Sequence, residues 1–183
     1  MADQKISELT EKTTVGDTDL IPMVDESGTP TTKKITGANL KTAMSQQSRA
    51  RAYLAGSQTV SNNTATKVLL DTENYDNLNE FDKDTNHRFV ASTAGYYVVG
   101  ASGPWVNTVD GELLVTYIYK NGAAVTECDA YASGTQGGGP FLLDIIYLDV
   151  NDYLELWVYQ DSGDTRTILA GSTHTFMAVH RIS

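Results

Sequence analysis

The dipeptide Asn121-Gly122, set between two runs of strand-forming residues, constrains this chain more than any other feature. Before it stands Leu113-Leu114-Val115-Thr116-Tyr117-Ile118-Tyr119-Lys120, and after it Ala123-Ala124-Val125. Both central positions of such a two-residue turn need positive φ, which Asn and Gly adopt most readily, so the pair predicts a β-hairpin. From Arg51 onward the chain is written in the same style, with short apolar runs separated by Gly, Asn, Asp and Ser. Strands are predicted over residues 67–70, 88–90, 96–101, 142–148, 153–160 and 175–181. About eight to ten strands with no long helix between them predict a mainly β chain, a sandwich or jelly roll.

Several of these strands are apolar on both faces. In Tyr96-Tyr97-Val98-Val99 and in Leu154-Glu155-Leu156-Trp157-Val158-Tyr159 each side of the alternation carries bulk. One sandwich buries one face of each sheet, and the economical cover for the other is a further copy of the same chain. Burying one large side chain contributes roughly 1.5 to 3 kcal/mol, so six of them contribute on the order of 10 kcal/mol per protomer before entropy. The expected subunit interface draws on Tyr97, Val99, Tyr119, Tyr147, Trp157 and Tyr159, with the inward-turning face left open.

The composition leaves room for one domain and an appendage in 183 residues. A net charge of −10 argues against nucleic acid as a partner, since phosphate binding needs clustered Lys and Arg. No apolar run approaches the length of a membrane span and residues 1–10 carry no leader pattern, so the expectation is synthesis in a cytoplasm without membrane insertion. The single cysteine, Cys128, excludes an intrachain disulfide and reads as a small apolar filler.

The first 40 residues differ in character: Thr-rich, short in period, with too little apolar content for a core. Ile6 and Leu9 suggest one helical turn, Leu20-Ile21-Pro22-Met23-Val24 a compact strand, and residues 31–36 a second one. Thr36 is placed to cap a helix over residues 37–51, with Leu40 and Met44 on a weakly apolar face. The resulting division is an attachment segment at 1–40, a short helical linker at 41–51 and a head at 52–183.

Two resemblances extend this reading. Lys5-Ile6-Ser7-Glu8-Leu9, Asp19-Leu20-Ile21-Pro22-Met23-Val24-Asp25, Lys33-Lys34-Ile35-Thr36 and Asn39-Leu40 together resemble the amino-terminal attachment segment of bacteriophage fibre and virion-associated proteins. That likeness implies a peg on a larger virion protein, with Ile6, Leu9, Leu20, Ile21, Pro22, Met23, Ile35 and Leu40 as docking residues. Leu70, Asp76, Phe81, Phe89, Gly95, Tyr97 and Val99 are similar to the signature of the globular head of complement component one, subcomponent q, whose jelly roll is shared with tumour necrosis factor. Lys120-Asn121-Gly122, the run from Leu148 to Gln160, and Thr175-Phe176-Met177-Ala178 resemble further blocks of that head. The likeness implies a homotrimer. Leu70 and Val99 stand where the family prefers Phe, one extra residue separates Phe81 from Phe89, and Met177-Ala178 replaces Ser-Gly. Asn151 replaces a usual Gly, a mild change because Asn tolerates a left-handed backbone. The collagen-like stalk is absent, which argues against complement-type ligands.

Catalysis finds little support. His87, His174 and His180 show no metal-ligand spacing, Ser172 and His174 lack a nucleophile elbow, and Gly137-Gly138-Gly139-Pro140 lacks the Lys and Ser or Thr of a phosphate loop. The acidic pairs Asp110 and Glu112, Glu127 and Asp129, and Asp161 and Asp164 match no calcium loop and read as solvated turns, so no cofactor is expected. Target binding, if present, is assigned to the long loops at residues 104–111 and 130–136, with Trp105, Asp110 and Tyr131 as contact residues and core packing at a strand end as the alternative for the two rings. The expected function is that of a trimeric phage fibre or spike on the virion, binding a host-surface glycan or protein. A capsid-decorating head fibre without an obligatory ligand is the alternative.

Overall fold

The computed structural model describes residues 13–25, 31–45, 47–135 and 138–182. The chain divides into two compact units, Met1–Gln46 and Gln47–Ser183.

In the first unit β1 (Leu20–Asp25) pairs antiparallel with β2 (Thr31–Thr36), placing Ile21 opposite Ile35 and Leu20 opposite Thr36. Helix α1 (Gly37–Ser45) follows at once, and the Thr36 hydroxyl caps it by accepting from the Asn39 amide at 3.2 Å. Gly37 lies against the preceding segment, its amide donating to the Asp19 carbonyl at 2.8 Å. A Cβ there would meet the Gly16 carbonyl oxygen at 1.9 Å, so the position excludes every other residue. The helix ends six residues earlier than the expected 51, because residues 49–53 belong to the next unit's first strand. Ile6 and Leu9 fall outside the described residues.

The second unit runs β3 (Arg49–Tyr53), β4 (Gln58–Val60), β5 (Thr66–Lys67), β6 (Thr72–Asp76), β7 (Phe81–Asp82), β8 (Arg88–Val90), β9 (Gly95–Ser102) and β10 (Trp105–Val106). It continues with β11 (Leu113–Lys120), β12 (Ala123–Tyr131), β13 (Phe141–Leu148), β14 (Tyr153–Gln160), β15 (Arg166–Ile168) and β16 (Phe176–Arg181). One sheet has the order β13-β9-β16-β3-β6. The other has the order β12-β11-β14-β8-β7, with β5 also paired to β14 as its sixth strand. A small third sheet, β10-β15-β4, accompanies them. All recorded pairings are antiparallel, and the arrangement is a jelly roll.

The hairpin at Asn121-Gly122 joins β11 to β12 with φ of 52° and 82°. Asn151, the residue standing where a Gly is usual, has φ 72°, as its side chain permits. Inside the sandwich Leu114, Ile118, Leu154, Leu156 and Val158 of one sheet meet Tyr97, Val99, Leu142, Leu148 and Met177 of the other. Phe89 and Tyr97 close the middle edge to face, with centroids 5.7 Å apart. Asp76 earns its place in the signature as a turn lock, its carboxylate accepting from the amides of Leu78 and Phe81 at 3.2 and 2.7 Å. A buried carboxylate, Glu80, accepts from the Ser48 hydroxyl at 2.5 Å and from the Ser92 amide and hydroxyl at 2.9 and 2.6 Å.

The hairpin end is fastened electrostatically. The Asp152 carboxylate accepts from Asn121 Nδ2 at 2.7 Å and lies 2.8 Å from Lys120 Nζ. Lys120 first, then Asn121, hold its pKa at about 2 against the ordinary 3.8. A carboxylate depressed in the folded state stabilises fully above its unfolded pKa and loses that contribution as pH falls through the folded value. Asp82 behaves alike, held at about 2 by the Asn86 side chain and then the Thr85 amide. The urea midpoint of the protein is therefore expected to fall between pH 3.8 and about 2. Asp152→Asn should lower the midpoint at neutral pH and flatten part of that acid decline. An unchanged acid profile would remove Asp152 from the explanation.

Candidate functional site

The five-stranded sheet presents a solvent-facing surface that a lone protomer does not explain. Along β13 the alternation sends Leu142, Ile146 and Leu148 inward, leaving Phe141, Leu143, Ile145 and Tyr147 outward with 56, 65, 58 and 45 % of their surface exposed. Register sets Ile145 beside Val98 and Tyr147 beside Tyr96 on the neighbouring β9. The Tyr96 and Tyr147 rings meet edge to face at 5.2 Å. Beyond Leu143 the face is floored by small residues, since Gly100 and Ala178 follow it across β9 and β16. A Cβ at Gly100 would lie in ordinary contact with Phe141 and Leu143, whose atoms are 3.5 and 3.7 Å from that position. The far side of the same face is polar: Arg51 lies 4.1 Å above the Phe176 ring, and Arg49, Tyr75, Asn77 and His180 line a hollow of about 440 Å³. An apolar wall beside a shallow floor is the kind of surface that protein interfaces use.

The expected interface residues do not share a face. Tyr97 and Val99 are fully buried inside the sandwich, so they are corrected from subunit contacts to core: β9 turns this parity inward and gives Tyr96 and Val98 to the outer face. Tyr147 alone of the six lies on the exposed apolar face. Tyr119, Trp157 and Tyr159 are half-buried on the outer side of the six-stranded sheet, where Trp157 stacks on Tyr119 at 4.6 Å. Phe141, Leu143 and Ile145 carry the surface and lie outside the expected set. Their signal was in the sequence, because residues 141–148 are apolar at every position except Asp144.

The loop residues separate likewise. Trp105 is corrected from a contact ring to core, because β10 pairs with β15 opposite Ile168 and buries the indole. Asp110 is exposed and accepts from the Gly134 amide at 3.0 Å, tying its loop to the one after β12. Tyr131 ends β12 with its ring in solvent. Leu113 donates to the Asp161 carboxylate at 2.7 Å and Arg166 lies 3.2 Å from Glu112, so these acidic residues lock turns. Among the described residues no group of three or more His, Cys, Asp or Glu is arranged to hold a metal ion. In the first unit Leu20, Pro22 and Met23 are exposed, while Ile21, Ile35 and Leu40 are half-buried.

No family model matches this chain, and no curated protein matches it. Solved structures do. The Eiger TNF of S. frugiperda superposes with a TM-score of 0.56 at 12 % identity, covering 75 % of this chain and 94 % of that one. Murine APRIL at pH 5.0 gives a TM-score of 0.57 at 9 % identity, covering 74 % and 99 %. At such identity the likeness is one of fold: the second unit is a jelly roll of the tumour-necrosis-factor type.

Proposed function

We propose that this chain is the subunit of a homotrimeric phage virion protein, in which the jelly-roll unit assembles through the outer face of its five-stranded sheet and the amino-terminal unit docks on the particle. The observation that carries the assembly is the row Phe141, Leu143, Ile145 and Tyr147, standing in water on a unit whose core is already complete without it. Exposed large side chains in such a row associate or aggregate, and a closed ring of identical copies covers them without leaving a free end. Three is the number favoured by the resemblance to the complement and tumour-necrosis-factor heads. Docking is supported by the resemblance of residues 5–40 to fibre attachment segments and by the exposed Leu20, Pro22 and Met23 on a hairpin with little core of its own. The head then faces outward to bind the host surface, where three equal sites on one axis give avidity from weak contacts.

Removal of residues 1–46 tests the division of labour, since the two units are separately compact. The truncated protein is expected to fold and assemble like the full chain but to be missing from particles purified after complementation. Normal incorporation of the truncated head would overturn the attachment role. Saturating free head should also lower phage adsorption. Unchanged adsorption would leave a capsid-decorating role in place of host recognition.

A further inference from the structure

The outer face of the six-stranded sheet carries a second surface, of different chemistry. Register lines up Glu127, Tyr117, Trp157 and Lys67 across β12, β11, β14 and β5, and Asp129, Val115 and Tyr159 in the next row. The rings are half-buried and mutually supported: Tyr119 stacks on Trp157 at 4.6 Å and meets Tyr117 at 6.0 Å with planes 82° apart. Lys67, the cation of these rows, is committed, with Nζ 2.6 Å from Glu155 Oε1, while Glu155 Oε2 accepts from the Trp157 indole at 3.0 Å. At the opposite edge Glu127 and Asp129 are exposed and make no ion pair or hydrogen bond with any described residue. The site is thus electron-rich ring beside unneutralised carboxylate. Burial, and then Glu127 and Asp129 among its neighbours, push the Tyr117 phenol up, which registers the same negative field.

We propose that this face receives an arginine-bearing basic segment of a partner protein. A planar guanidinium suits both halves of the site, since it lies against an aromatic ring and forks to a carboxylate. The molecule shows the first half of that mode on this same sheet, where Arg88 sits 4.2 Å above the Tyr153 ring. The two exposed carboxylates beside the rings favour a cationic ligand over a neutral one. The net charge of −10 steers a basic partner toward the protein. This inference rests on the six-stranded face alone and stands apart from the trimer and the virion role.

The test titrates the full chain with a short Gly-Arg repeat peptide at low salt, followed by tryptophan emission. Trp105 is buried, so the half-buried Trp157 reports. The expected result is a saturable change that weakens with salt and is absent with a Gly-Glu repeat peptide. Glu127→Gln with Asp129→Asn should weaken binding by roughly fivefold to tenfold, as expected for two exposed ion pairs. Asp84→Asn, an exposed carboxylate beyond β7 at the sheet's other edge, should leave it unchanged. Equal response to both peptides, equal loss in the Asp84 variant, or saturable binding of choline chloride without the peptide would each overturn the proposal.

Discussion

Glutamate at positions 143 and 145 together is expected to convert an assembled protein into single folded chains. Leu143 and Ile145 contribute nothing to the sandwich interior, because β13 directs both outward while Leu142 and Ile146 fill the core. The variant chain should therefore keep its β circular-dichroism spectrum. At a subunit contact each of these side chains is worth roughly 1.5 to 3 kcal/mol of burial, and a carboxylate in its place must also be desolvated. Losing more than about 4 kcal/mol weakens association by roughly a thousandfold. Light scattering should thus find one chain per particle for L143E/I145E under conditions where the native protein is expected to give three. A double variant that remains trimeric would show that the apolar row lies outside the interface.

Tyr97 and Tyr147 should part company just as sharply. Tyr97 is fully buried, its ring is edge-on to Phe89 at 5.7 Å, and its hydroxyl donates to the Thr93 carbonyl at 2.6 Å. Truncation to alanine removes that ring from the centre of the core and is expected to cost about 3–5 kcal/mol of folding stability. Tyr147 meets Tyr96 on the outer face with nearly half of its surface in water, so Tyr147→Ala should change the folding stability of a single chain by no more than about 0.5 kcal/mol. Both substitutions are best measured by urea denaturation in the L143E/I145E background, where assembly adds nothing to the midpoint. Equal losses at the two positions would contradict the assignment of Tyr97 to the core and Tyr147 to the outer face.

Which residues of a strand face inward is the part of this fold least legible in the sequence, and the reason is physical. Turn chemistry is local, so Asn121-Gly122 located a hairpin and the bounds of β8 and β14 were read directly. Facing is not local. A strand apolar on both sides, such as β9, has no sequence feature that says which parity points inward, and its register with β13 and β16 decides. Tyr97 and Val99 therefore fall in the core, although either parity of β9 satisfies the sequence pattern.

The first strand of the head was missed for a different reason. Arg49-Ala50-Arg51-Ala52-Tyr53 favours helix by composition, yet its period-two alternation buries both alanines in the sheet. β6, Thr72–Asp76, has no fully buried side chain and owes its existence to pairing with β3. Between contact ring and core packing the sequence does not decide for Trp105, because nothing local foretells a two-residue strand opposite Ile168. The candidate surface itself was only half legible, since β13 was identified as a strand but only Tyr147 was singled out on its outer side.

The mass of the unmodified full-length protein in solution bears most directly on all of this. Light scattering across a dilution series down to low micromolar concentration is expected to return three chain masses throughout. A monodisperse single-chain mass would mean that Phe141, Leu143, Ile145 and Tyr147 stand in water in the native protein, and the assembly role of this face would be refuted.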